Sequence, residues 1–331
     1  MNITVLGAGN WGTTMALVLH RKGHQITLWE FDPQQAELLA RTHRNDKFLP
    51  GFSLPEDMHA TSDVQAAIRD AQMILLAVPA QTCRAVLHGV GKLNGGIPLI
   101  SLMKGVERDT LNRISEICAQ ELAGFDPGCY AVISGPTIAP EVASGMPTSA
   151  VVASLTQQTA QQVQHEFSTR ELRLYTSDDV VGVELAGALK NVIALAAGIC
   201  DGLDLGFNAK GTLLTRGLTE ITRLGTAMGG NRHTFGGLSG MGDLVTTCTS
   251  PQSRNHTVGE RIGKGETLDH ILSDMVMVAE GVWTARAAND LAHRYGVEMP
   301  ITAAVCDILD HGKDPRLAVG ELMQRSLKAE D

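Results

Sequence analysis

Positive charge, aromatic rings and paired cysteines are what this sequence has little of, and each shortage excludes something. Lysine and arginine total 27 against 36 acidic residues, a formal net charge of −9. Nucleic acid and anionic membranes attract basic surfaces, so neither is expected as the main partner. A phosphorylated small molecule stays admissible, because a few local cations override the global sign. No uninterrupted apolar run reaches the ~20 residues that a membrane span needs. No basic segment precedes the apolar residues 3–6, so no signal peptide is expected. The six cysteines, Cys83, Cys118, Cys129, Cys200, Cys248 and Cys306, are scattered without a CxxC pair. Reduced thiols in the cytoplasm fit that pattern, and neither a metal site nor a disulfide framework is expected.

Aromatics are only 4% of the chain, whereas glycine supplies 35 of 331 residues. The combination points to tight turns, close backbone packing and binding surfaces lined by backbone. The apolar share of 44% and charged share of 19% are ordinary for a globular protein. At this length two domains are expected, each able to bury a core. No internal repeat, low-complexity segment or flexible linker interrupts the chain.

Short apolar runs at residues 3–6, 25–29, 73–78, 98–103 and 130–134 read as strands, with helical stretches at 13–22 and 110–122. Strands apolar throughout and separated by helices imply a parallel sheet covered on both faces. Runs at 150–154 and 172–176 could extend it. After Asp179 the texture turns helical, beginning with the Ala- and Gly-rich residues 180–199, and residues 225–242 read as the loosest stretch. The expected fold is therefore α/β: a doubly wound, mostly parallel Rossmann sheet over residues 1–178 and an all-helical domain over 179–331.

The first strand runs into Gly7-Ala8-Gly9-Asn10-Trp11-Gly12, and a helix follows at once. In that context Gly7 permits the tight turn, Gly9 lets the backbone approach a pyrophosphate, and Gly12 allows close helix–strand packing. The helix N-terminus offers free N–H groups to the phosphates. A plain glycine turn is the alternative. The second strand ends at Trp29-Glu30-Phe31-Asp32, where a ribose-reading carboxylate belongs. An acidic group there leans towards NAD(H) over NADP(H), unless either carboxylate merely caps the helix after Pro33.

Three further segments hold polar groups that packing alone would not place. Lys104 follows a buried strand, at the edge where open α/β sheets bind ligands; an exposed loop lysine is the alternative. Lys190 and Asn191 lie inside a helix apolar almost all round, where burial lowers a lysine pKa towards proton transfer. A structural ion pair with Glu184 is the bland reading, and Gly187 one turn earlier would leave room for a ligand. Ser253-Arg254-Asn255 opens a helix with a hydroxyl, a guanidinium and N–H groups suited to a phosphate. The alternative is an N-cap serine beside a solvated arginine.

Taken in order, Gly-x-Gly-x-Trp-Gly at 7–12, Met-Lys-Gly at 103–105 and Ile-Ser-Gly-Pro-Thr at 133–137 are followed by three more motifs. These are Leu-Lys-Asn at 189–191, Gly-Asp-Leu at 242–244 and Ser-Arg-Asn at 253–255. The set resembles the NAD(P)-dependent glycerol-3-phosphate dehydrogenases of the bacterial type, from residue 3 to about residue 325. Met103 and Ile138 depart from the threonine and phenylalanine usual there.

The resemblance implies NAD(H) or NADP(H) as cofactor and dihydroxyacetone phosphate and glycerol 3-phosphate as substrates, in a reaction that feeds glycerophospholipid synthesis. By the resemblance Lys190 is the proton acceptor in the oxidative direction. Lys104, Gly135, Thr137, Asn191, Asp243, Ser253, Arg254 and Asn255 surround the substrate. Gly7, Gly9, Asn10, Trp11, Gly12, Phe31, Lys104, Ala139, Arg254, Val278 and Glu280 contact the cofactor. A homodimer is the default assembly. The rivals are a dehydrogenase of 3-hydroxy or sugar acids, a non-catalytic dinucleotide sensor and a structural scaffold; only the first needs Lys190, and none explains Asp243 and Arg254 together.

Overall fold

The computed structural model describes residues 1–331 apart from 94, 276–278, 328 and 331. Eight strands form one sheet in the order β3-β2-β1-β4-β5-β6-β7-β8. They are β1 Asn2–Leu6, β2 Gln25–Trp29, β3 His59–Thr61, β4 Met73–Leu76, β5 Leu99–Ser101, β6 Tyr130–Ser134, β7 Thr148–Ala153 and β8 Leu172–Ser177. All neighbours pair in parallel except β6 with β7. The chain builds outward from β1 to β3, then returns to place β4 on the other side of β1. That reversal opens a crevice above the strand C-termini between β1 and β4.

Side chains alternate between the two faces, so each strand feeds two cores. Ile3, Val5, Ile26, Leu28, Met73, Leu75 and Ile100 pack beneath helices α1 Asn10–Arg21, α2 Pro33–Thr42, α6 Ala139–Ala143 and α7 Gln157–Phe167. Leu6, Trp29, Ile74, Leu76, Leu99 and Val132 face α3 Val64–Ile68, α4 Cys83–Val90 and α5 Ile114–Glu121. Helix α5 starts four residues later than periodicity implied. Leu111 takes a left-handed φ of 62°, and Glu107 accepts the Thr110 hydroxyl, which winds residues 107–112 into a loop.

The remaining helices are α8 Val180–Gly202, α9 Gly206–Ala227, α10 Arg232–Phe235, α11 Asp243–Thr249, α12 Arg254–Gly263, α13 Leu268–Ser273, α14 Glu280–Tyr295, α15 Pro300–His311 and α16 Pro315–Met323. At the junction Asp179 caps α8 through the Gly182 N–H (2.8 Å) and also holds the Asn231 N–H (2.9 Å). Helix α8 is the axle of this half. It is long and apolar enough to cross a membrane, yet 94% of that apolar window is buried inside the protein. Its neighbours include α9, α11, α12, α14 and α15. The α8–α12 crossing is closest: a methyl on Gly198 would overlap the His256 carbonyl, and one on Gly259 the Leu195 carbonyl. Backbone-to-backbone packing thereby fixes the first turn of α12, with its Ser-Arg-Asn triplet, against the lysine-bearing helix.

The stretch from 225 to 242 is not loose. Gly225 and Gly240 press against Phe235, which is fully buried, and Leu238–Gly242 forms a single π-turn that leads into α11. Gly225, Gly230 and Gly240 serve close packing, the opposite of what the number of glycines implied.

Candidate active site

The turn after β1 is shaped for close approach. Gly7 has a φ of 115°, and a methyl on it would lie 2.7 Å from the Ala77 carbonyl oxygen. A methyl on Gly12 would overlap the Gly7 carbonyl, whereas Gly9 faces open space. Gly9 therefore leaves the backbone bare towards the cleft, with the N–H groups of α1 behind it. Beside it, Asn10 Oδ1 and Trp11 Nε1 are buried with no hydrogen-bond partner among the described residues. A dinucleotide fits this cradle: open space at Gly9 and orphaned polar atoms around it.

The cleft holds about 960 Å³ and is lined from both halves of the chain. On the sheet side stand Gly7, Gly9, Asn10, Trp11, Glu30, Phe31, Lys104, Thr137 and Ala139; across from them are Lys190, Asn191, Asp243, Thr247, Ser253, Arg254, Asn255 and Glu280. Phe31 is 80% exposed at the rim. Of the two acidic candidates after β2, Asp32 is a helix cap, accepting the Gln34 N–H at 3.0 Å. Glu30 lines the cleft instead, steadied by the Asp32 N–H at 3.2 Å. Burial raises the Glu30 pKa, against the backbone N–H bonds that favour its charge.

At the other end a carboxylate joins two lysines. Asp243 Oδ2 lies 2.7 Å from Lys104 Nζ, and Oδ1 lies 2.9 Å from Lys190 Nζ. Lys104 also donates to the Gly135 carbonyl (2.9 Å) and to Thr137 Oγ1 (3.2 Å), so both predicted substrate-side residues hold the lysine first. Gly135 takes φ 153° and packs against Ala150. Lys190 is only 5% exposed. Burial pushes its pKa from the ordinary 10.5 down to about 8, helped by Lys104 and opposed by Asp243. One anion between two cations leaves a net positive site beside a lysine poised near neutral pH.

Two readings are corrected here, the alternative Glu184 pairing and the open space beside Gly187. Glu184 does not pair with Lys190; it accepts from Arg113 (2.7 Å), from Ser115 and from the Tyr130 hydroxyl (2.7 Å). Gly187 leaves no ligand space, because the Ser134 hydroxyl and the Lys104 stem face it. Asn191 Nδ2 donates to the Lys104 carbonyl (3.2 Å), and its oxygen accepts from Asn255 (2.9 Å). Asn255 in turn accepts the Gly281 N–H at 2.9 Å. The two asparagine side chains are thus engaged in tying together α8, α12, α14 and the Lys104 loop. Ser253 is an N-cap, accepting the His256 N–H at 3.3 Å. Arg254 is not simply solvated: it opens onto the cleft, yet surrounding protein desolvates it enough to lower its pKa, with Glu280 opposing. Val278 lies outside the described residues.

Thr247 escaped the sequence reading. Its hydroxyl meets Lys190 Nζ and Asp243 Oδ1 (3.2 Å). The available signal was its place four residues after Asp243, on the same face of α11. Among the described residues no cluster of His, Cys, Asp or Glu could hold a metal ion.

Family models for the N-terminus and the C-terminus of NAD-dependent glycerol-3-phosphate dehydrogenase match residues 2–160 and 179–320. A glycerol-3-phosphate dehydrogenase [NAD(P)+] of Syntrophotalea carbinolica is 50% identical, covering 100% of this chain and 99% of its own. One from Prosthecochloris aestuarii is 47% identical over the full length of both. The crystal structure of glycerol-3-phosphate dehydrogenase from Coxiella burnetii superposes with a TM-score of 0.93 at 37% identity, over 98% of this chain and 99% of that one. A ketopantoate reductase from Ralstonia eutropha, 17% identical with a TM-score of 0.61 over 98% of this chain and 100% of that one, shares the fold alone. The chain belongs to the NAD-dependent glycerol-3-phosphate dehydrogenase family.

Proposed function

We infer that this protein is an NAD(P)-dependent oxidoreductase that interconverts dihydroxyacetone phosphate and sn-glycerol 3-phosphate, the backbone unit of glycerophospholipids. The observation that carries the reading is the Lys104–Asp243–Lys190 bridge, which faces the glycine turn across one cleft. Gly7, Gly9, Asn10, Trp11, Gly12, Phe31, Ala139 and Glu280 would hold the dinucleotide, whose nicotinamide supplies or accepts the hydride when bound. The Glu30 carboxylate would accept from a ribose hydroxyl and repel a 2′-phosphate, so NADH is the preferred form.

Arg254 and the first-turn N–H groups of α12 would grip the substrate phosphate. Lys190 would donate its proton to the C2 oxygen as the carbonyl is reduced, and take the hydroxyl proton in reverse. Asp243 and Thr247 hold the Lys190 ammonium in place, while Lys104 adds charge that polarises the carbonyl. The division at 1–178 and 179–331 belongs to the same proposal, supported by β8 ending at Ser177 and Asp179 capping α8. So do a cytoplasmic location, which the six free thiols support, and a homodimer, which sedimentation would read.

The test is to mix purified protein with dihydroxyacetone phosphate and follow nicotinamide absorbance with NADH and NADPH in parallel. Rapid oxidation, faster with NADH, is expected. Cofactor binding without oxidation of either would return the field to the hydroxy-acid dehydrogenases.

A further inference from the structure

The loop that carries Lys104 is fixed at its start by β5, but its far end at Arg108 is held by something the motifs did not mark. Trp283, one turn into α14, lies between two guanidinium groups: Arg108 at 5.4 Å and Arg286 at 5.3 Å from its ring. Both fall within the range of cation–π attraction. Arg286 is anchored in turn by Asp310 of α15 (2.6 Å), so the tryptophan presents a rigid face to the loop. The same loop is stitched to residues 79–81. The Arg108 N–H donates to Gln81 Oε1 (3.0 Å), and Gln81 Nε2 donates to the Val106 carbonyl (2.9 Å). One turn before Trp283, Glu280 accepts the Ala80 N–H at 3.0 Å, and a methyl on Gly105 would come within 3.1 Å of its carboxylate.

We propose that Trp283 is a positioning residue for the hydride-transfer site: by stacking on Arg108 it latches residues 102–108 of the sheet half onto α14. The latch sets where Lys104 stands relative to Asp243 and Lys190. The inference rests on the proposed role of Lys190 and deepens it. Lys104 reaches Asp243 at the end of a flexible stem, and Gly135, Thr137 and Asn191 also restrain the residue. Loosening the loop at the Arg108 side chain therefore raises the share of positions in which that 2.7 Å contact is broken. Asp243 then pairs with Lys190 alone, and Lys190 loses a neighbouring cation. Both changes favour the protonated form. Asp243, Lys104, Thr247 and Cys248 are the polar, charged or titratable groups recorded around Lys190.

Arg108→Leu and Trp283→Leu, singly and together, test this in the whole enzyme. A partly exposed cation–π contact predicts a loss of about 2–5-fold in kcat/KM for glycerol 3-phosphate oxidation, which needs the neutral amine, in each single variant. The double variant should fall no further than the worse single, because one contact is being removed twice. Arg108→Lys should restore most of the loss, and the inflection of the reduction-rate pH profile should move up in the leucine variants. A second readout needs no activity. Amide exchange in the ligand-free protein should quicken at residues 102–108 in Trp283→Leu and stay unchanged in β4 and β6.

Multiplying losses, or exchange unchanged at 102–108, would overturn the latch even if the enzyme is active. Absence of any turnover in the wild type would instead strike the proposed function, leaving exchange to judge the latch.

Discussion

The buried lysine makes its sharpest prediction in the pH dependence of the two reaction directions. With Lys190 near 8, the protonated fraction is about 0.9 at pH 7 and about 0.1 at pH 9. Reduction of dihydroxyacetone phosphate needs the protonated amine, so its chemical step should fall about tenfold across that window. Oxidation of glycerol 3-phosphate needs the neutral amine and should rise by about the same factor. Asp243→Asn removes the anion 2.9 Å away and leaves Lys104, a cation, as neighbour. Loss of an opposite charge at that range is worth about 1–3 units, placing the inflection near 5–7 and cutting the protonated fraction at pH 7 to about half or less. The assay is single-turnover oxidation of NADH at saturating substrate, which keeps product release from masking the step. Profiles of the same sign in both directions, or an inflection unmoved by Asp243→Asn, would refute the reasoning.

Three other outcomes follow from the geometry. Gly12→Ala places a methyl into the Gly7 carbonyl and should abolish measurable dinucleotide binding or folding; wild-type affinity in calorimetry would show that the turn is not the cradle. Glu30→Ser removes the carboxylate that lines the ribose end and should raise the NADPH-to-NADH rate ratio about tenfold, the scale of one screened charge pair. An unchanged ratio would assign preference elsewhere. Arg254→Ala deletes a charge-assisted grip worth about 1.5–3 kcal/mol, so KM for the phosphorylated substrate should rise about 10–150-fold, and an unaltered KM would remove Arg254 from the phosphate.

Much of this molecule was legible because burial leaves a mark in sequence. Strands covered on both faces read as unbroken apolar runs, which is why β1, β2, β4, β5 and β6 stood out. β3 did not: His-Ala-Thr is three residues long and half-exposed at the sheet edge. Lys190 was conspicuous because a cation inside an apolar helix has few explanations. Its partner was not, since Glu184 sits nearer in sequence and the choice between Glu184 and Asp243 depends on which face of α8 meets which helix. The glycines of 225–242 misled for the same reason: composition cannot distinguish a glycine that loosens a loop from one that admits Phe235. Thr247 and Trp283 act through contacts made across 57 and 175 residues, distances at which periodicity carries nothing.

The most direct measurement is the single-turnover rate of Lys190→Ala with NADH and dihydroxyacetone phosphate, taken beside its NADH affinity. Lys190 as proton donor predicts a chemical step slower by about 10²–10⁴-fold with NADH binding almost unchanged. Near-normal turnover in that variant would contradict it.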